Sequence, residues 1–124
     1  MQSFLLQNWV TVGTDSGVVK SVVQPAESWL DLGFASEVLF HLEVSRADSS
    51  GTQIVYETSP LRDGSLFRTL KTLTVVPSAA PVVTRVALYD DPTQPLSRWV
   101  RWRATRDTGA WAVTFRITVM AHAR

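Results

Sequence analysis

Leu96-Ser-Arg-Trp-Val-Arg-Trp-Arg-Ala-Thr-Arg106, then Asp107-Thr108-Gly109, then Ala110-Trp-Ala-Val-Thr-Phe-Arg-Ile-Thr-Val-Met-Ala121, carries the clearest fold signal in the chain. Two alternating runs flank a short turn with glycine, which predicts a β-hairpin. Strand side chains alternate between faces with period two. Trp111, Val113, Phe115, Ile117, Val119 and Ala121 therefore share one face, while Thr114, Arg116 and Thr118 share the other. In the first run Val100, Trp102 and Ala104 point one way, as core. Trp99, Arg101 and Arg103 point the other, towards solvent or a partner.

The same grammar covers the rest of the chain. Phe4 to Val12 reads as a strand, with a turn at Gly13–Gly17. Val18 to Gln24 is a second strand, stopped by Pro25, and Glu27–Gly33 is a turn or irregular edge. Glu37 to Arg46 alternates, with Val38, Phe40, Leu42 and Val44 inward. A polar turn, Ala47–Gly51, leads to a strand over Thr52–Ser59 and a loop over Pro60–Gly64. Ser65–Leu70 reads as a short strand or a helical turn, and Leu73–Val76 as a separate strand. Pro77–Pro81 is a spacer, Val82–Tyr89 a strand, and Asp90–Pro95 a rigid loop. About eight short strands with turn signals between them predict an all-β protein, a single antiparallel β-sandwich of jelly-roll type over residues 1–124.

Composition narrows the classes. The chain has 124 residues, 45% of them hydrophobic, enough for one packed core. With no Cys there is neither a disulfide frame nor a thiolate metal site. No apolar run has membrane-spanning length. Met1–Trp9 has no basic lead, so no signal peptide is expected there, and the expected location is cytoplasmic or within a virus-like particle.

Net charge is +1, but unevenly spread. Residues 1–65 hold three bases against eight acids, a net −5. Residues 66–124 hold nine against three, a net +6. Ten of the twelve bases are Arg, the cation suited to fixed planar contacts. Two readings follow: Arg pairs across strands with Glu37, Glu43 and Glu57 inside one molecule, or complementary charge joins neighbouring copies. A nucleic-acid partner is not expected, because the acidic half cancels the basic one.

Catalytic signatures are not found: no nucleophile elbow, phosphate loop or dinucleotide fingerprint occurs. The two histidines, His41 and His122, have no partner at metal-ligand spacing. The chain is thus read as no enzyme, with no cofactor or metal. Asp63 with Asp90 and Asp91 makes an oxygen-rich set suited to calcium, but Asp before Pro equally serves turns. Trp102 and Trp111 are packing residues, and Trp9 and Trp29 cover the sandwich ends.

The order Trp29-Leu30-Asp31-Leu32-Gly33, Glu57-Thr58-Ser59, Asp63-Gly64, Phe67 and Arg98-Trp99-Val100-Arg101 resembles the galactose-binding-like (discoidin-type) jelly rolls. Those domains carry a Trp/Leu-Asp-Leu-Gly start, a Ser-x-Asp-Gly-x-aromatic loop and an Arg-aromatic-Val-Arg strand. The resemblance spans residues 29–116 and implies a β-sandwich with a glycan-binding loop. Size, lack of Cys and Arg richness also resemble, without any motif, small β-sandwich proteins of phage-type particles.

Two functions are expected from different classes. The first is a non-enzymatic subunit of a repeated assembly, a virion component such as a capsid decoration or tail-associated protein. It would contact protein subunits, its own copies among them, through Trp99, Arg101, Arg103 and Arg116. The alternative is a carbohydrate-binding module using Trp99 or a loop pocket near Arg62 and Asp63. An accessory domain packed on an enzyme partner is a third reading.

Overall fold

A computed structural model describes residues 2–14, 21–47, 51–75, 82–88, 96–106 and 109–123. Among these residues nine strands run in chain order: β1 Gln2–Thr14, β2 Ser21–Val23, β3 Leu30–Asp31, β4 Ala35–Ala47, β5 Gln53–Ser59, β6 Arg68–Thr74, β7 Val82–Leu88, β8 Trp99–Thr105 and β9 Trp111–Ala123. Single 3-10 turns at Ala26–Ser28 and Gly64–Leu66 are the helical elements among the described residues. One sheet orders the strands β1-β9-β4-β7 (sheet A), the other β2-β8-β5-β6 with β3 also on β8 (sheet B). Every pairing among the described residues is antiparallel. This is the expected all-β sandwich. β2 and β3 lie end to end along β8, opposite Arg103–Thr105 and Trp99–Val100, so they form one interrupted edge strand, giving eight strand positions among the described residues.

The Leu96–Ala121 stretch folds differently from a hairpin. β8 and β9 do not pair: β8 belongs to sheet B and β9 to sheet A. Gly109, at φ +76°, lies in the connection, a left-handed backbone that favours glycine. The reason for the crossing lies in the alternation itself. Both strands carry a continuous apolar face, and two such faces are buried together when the strands oppose each other across a core rather than lie side by side. Trp102 and Phe115 meet there edge to face, with centroids 4.9 Å apart. β4 and β5 cross between sheets in the same way, and Phe40 stacks on Tyr56 at 4.1 Å. Among the described strands, β5–β6 is the one consecutive pair that forms a ladder.

The inward residues expected of β4, β8 and β9 are all buried, with Phe40, Val100, Ala104, Phe115, Ile117 and Val119 at 0% exposure. Several boundaries shift: β1 extends through Gly13 to Thr14, where a turn is expected, and β4 runs from Ala35 to Ala47. Of the expected Val18–Gln24 strand, residues 18–20 lie outside the described residues, and the described part, Ser21–Val23, stops one residue before Gln24. Leu73 continues β6 instead of starting a new strand. Ser65–Leu70 splits into a 3-10 turn and the start of β6. The spacer 77–81 and the loop 90–95 lie outside the described residues.

A buried glutamine seals the interrupted edge. Gln24 is 1% exposed. Its Nε2 donates to the Leu6 carbonyl (2.6 Å) and the Ser28 carbonyl (3.0 Å), and its Oε1 accepts from Trp102 N (3.3 Å). Its own carbonyl accepts from Trp29 Nε1 at 2.8 Å. One side chain therefore satisfies backbone groups that the break in the strand would leave buried and unpaired. The Gln24 backbone carbonyl, in turn, fixes Trp29 on the outer side of sheet B.

Candidate functional site

The outer face of sheet B is built from β8 and β5. In register, Trp99 faces Ser59, Arg101 faces Glu57, and Arg103 faces Val55. Part of this face is closed. Trp29, from the 3-10 turn before β3, and Phe67, from the turn before β6, meet edge to face at 4.8 Å. Between them the Arg101 guanidinium lies 3.9 Å from the Phe67 ring and 5.2 Å from that of Trp29. Arg101 Nε donates to Glu57 Oε1 at 2.9 Å, and Arg103 Nε to Glu57 Oε2 at 3.3 Å. The Arg101 and Glu57 side chains keep only 11% and 8% exposure. Arg101, expected to face solvent or a partner, is instead buried. It is outward of the sheet but inward of the two aromatic rings.

One step along β8 the same residue types stand in the open. Trp99 is partly exposed at the start of the strand. The guanidinium carbons of Arg62 and Arg98 lie 5.4 and 5.6 Å from its ring centre, inside cation–π range. They stand farther from it than Arg101 from Phe67. Arg98 Nε and Nη2 both donate to Asp31 Oδ2, at 3.0 and 2.8 Å. Asp31 Oδ1 accepts from Gly33 N at 3.1 Å. The Arg98 guanidinium, then the Gly33 N–H, hold the Asp31 carboxyl below the usual carboxylate range, and Asp31 raises Arg98 in return. An open groove of about 500 Å³ runs beside this pair, lined by Asp31, Gly33, Phe34 and Arg98. Phe34 is 39% exposed and leans on Phe4.

Local chemistry explains why these groups meet at one end of the sandwich. Ser59 Oγ donates to the Leu61 carbonyl (2.5 Å) and accepts from its N–H (3.2 Å), a hydroxyl turn that throws Arg62 outward. Arg62 Nη2 then donates to the Ala26 carbonyl at 2.8 Å. Thr58 Oγ1 accepts from Ser97 N and donates to the Trp99 carbonyl, both at 2.9 Å, fixing the entry to β8. Leu32 N donates to the Arg98 carbonyl at 2.7 Å, tying the β3–β4 turn to the same corner.

The residues expected to act thus separate. Trp99 and Arg62, expected at alternative sites, are neighbours. Asp63, next in sequence to Arg62, turns to its own loop, where Oδ1 accepts from Ser65 N (3.0 Å) and Ser65 Oγ (2.8 Å). These bonds keep its carboxyl below the usual range. The other half of the calcium set, Asp90 and Asp91, lies outside the described residues, and no group of three metal-ligating side chains occurs among those described. Arg116 is on the opposite sheet. It donates to Glu43 through Nε and Nη2 at 2.8–3.1 Å and lies 4.9 Å from the Trp9 ring. Of the three acids expected to pair across strands, Glu43 and Glu57 do, while Glu37 faces His122 in register. Trp9 and Trp29 cover outer sheet faces rather than the sandwich ends.

Sequence reasoning does not single out three contributors: Arg98, Asp31 and Phe34. Arg98 and Asp31 stand inside the motifs quoted above, and the signal for them is adjacency, one to Trp99 and the other to the Leu-Gly turn. A separate apolar recess of about 130 Å³, lined by Leu42, Val44, Leu73 and Val75 with two threonines among its other lining groups, presents no charged group.

The fold that carries this corner, a two-sheet antiparallel β-sandwich, is shared with solved structures. A solved structure described as a carbohydrate-binding module (CBM6cm-2) from Cellvibrio mixtus lichenase 5A in complex with cellotriose superposes with a TM-score of 0.53 at 14% identity, covering 95% of this chain and 88% of that one. Also similar are a protein from Bacillus endospore appendages, described as disulfide-linked pili (TM-score 0.47, 10% identity, 100% and 93% covered), and the C-terminal CBM6 of LamC from Zobellia galactanivorans (0.43, 12%, 91% and 99%). No protein-family model and no curated protein sequence matches the chain.

Proposed function

We propose that this domain is a non-catalytic carbohydrate-binding module whose sugar stacks on Trp99. The observation that carries this is the partly exposed Trp99 ring beside an open groove edged by a held Arg98–Asp31 pair. A planar ring offers an apolar platform for the C–H face of a pyranose, and fixed polar groups around it set orientation. Asp31 keeps acceptor capacity on Oδ1, and Arg98 keeps N–H donors not spent on Asp31. The structurally similar module in complex with cellotriose supports the reading at the level of fold. The test is titration of the chain with a panel of neutral oligosaccharides, following tryptophan fluorescence. One or more should bind, and Trp99→Ala should weaken that binding at least about tenfold while the domain still folds. No binding across the panel overturns the proposal.

A second reading keeps the domain as a subunit of a larger assembly, a virion or virus-like particle included. The arginines first expected to carry it are occupied internally, since Arg101 and Arg103 share Glu57 and Arg116 holds Glu43. What favours it instead is the outer face of sheet A, where Trp9, Leu5 and Val83 are 43%, 51% and 53% exposed. Light scattering over a wide concentration range tests self-assembly. Growth in mass that Trp9→Ser abolishes supports it, and a strict monomer counts against contact between copies.

A further inference from the structure

Two arginines stand against the Trp99 ring, and only one of them is neutralised among the described residues. Arg98 is paired with Asp31. Arg62 donates to an uncharged group, the Ala26 carbonyl, and has no carboxylate partner among the described residues. Its sequence neighbour Asp63 is bent back onto Ser65. The next arginines along β8, Arg101 and Arg103, already divide Glu57 between them. The Trp99 platform therefore carries one positive charge uncompensated by any described residue, at one known position.

That charge is also held in place. Arg62 is fixed at one end by the Ala26 carbonyl and rests near the indole. The Ser59 turn fixes the backbone it springs from. A guanidinium so restrained loses less freedom on binding than a free lysine would, and it presents a planar fork. One of its five N–H donors is spent, leaving donors that suit the two oxygens of a planar or tetrahedral oxyanion.

We infer that Arg62 makes the Trp99 site selective for acidic glycans, pyranosides bearing a ring carboxylate or a sulfate ester. This rests on the glycan reading above. The sugar ring lies on Trp99, and its anionic substituent reaches the Arg62 fork. Arg98, with its charge met by Asp31, serves hydroxyls instead.

The experiment is isothermal titration of the full chain with two matched pairs: an oligogalacturonate with its methyl ester, and a sulfated galactan oligosaccharide with its desulfated parent. Wild type, Arg62→Gln and Trp99→Ala are compared. The expected result is about tenfold tighter binding of at least one acidic member than its neutral partner, shrinking at high salt. Which pair shows the gap tells a carboxylate from a sulfate. Arg62→Gln removes the gap between the members of a pair, whereas Trp99→Ala weakens both members and keeps their ratio. Equal affinity within both pairs, or a gap that survives Arg62→Gln, overturns the inference but leaves the glycan reading standing. No binding of any of the four overturns the inference, and the neutral panel then decides whether the glycan reading falls with it.

Discussion

Two clusters on neighbouring positions of β8 use the same chemistry and come to different ends. Each joins a tryptophan, arginines and one carboxylate. In the inner cluster, Arg101 and Glu57 are nearly closed to solvent under Trp29 and Phe67. In the outer one, Arg98 and Asp31 keep 59% and 41% of their side-chain surface, and Trp99, partly exposed with two guanidiniums beside its ring, has no aromatic cover. A buried pair cannot exchange its partner for water or a ligand, so the inner cluster is structural. An exposed pair is worth little to stability, which leaves the outer cluster available for binding. Burial, not residue type, separates the two roles.

The largest effect that tests this contrast is expected from Glu57→Gln. It strands Arg101 under the aromatic rings and Arg103 beside it. Loss of about 3 kcal/mol of unfolding free energy by urea denaturation is expected, because an uncompensated buried charge is costly. Replacing both partners, Glu57→Leu with Arg101→Met, should recover most of that loss. If Glu57→Gln costs no more than a surface substitution, the inner cluster does not hold the sheet together.

A smaller effect is expected from Arg98→Ala. The ion pair is open to water and screened by it, so it adds little to stability, and the urea midpoint should barely move while oligosaccharide affinity falls. A stability loss matching that of Glu57→Gln would erase the distinction between the clusters.

The smallest effect is on acid stability. The folded Asp31 pKa is lowered below its ordinary 3.8, chiefly by Arg98. Its contribution is therefore present above the unfolded value and is lost as pH falls through the folded value. Wild type and Arg98→Ala should differ slightly at neutral pH and converge below about pH 3.8. Curves that stay parallel through that range would mean Asp31 is not held by Arg98.

Much of this corner is legible in the chain itself. The Trp29–Gly33, Glu57–Ser59, Asp63-Gly64, Phe67 and Arg98–Arg101 signals form an ordered set, and the fold brings most of them together. Trp29, Glu57, Phe67 and Arg101 make the inner cluster, and Asp31, Arg98 and Trp99 the outer one. What is not legible is which arginine each acid takes. Arg101 and Trp99 sit on the same outward face with the same period, and nothing local distinguishes them. Only Trp29 and Phe67, arriving from separate turns, cover the one and leave the other open.

Alternation along the chain is enough to establish an all-β sandwich and to say which side chains of β4, β8 and β9 face its core. The order of apolar and polar residues fixes the face a side chain occupies, and turn residues fix where strands stop. Which strand lies beside which is decided only by packing. The Leu96–Ala121 stretch reads as a hairpin yet opens across the core, because period two specifies inside and outside but not the neighbour. The match of Trp102 to Phe115 and of Glu57 to Arg101 is settled only when both sheets close on each other.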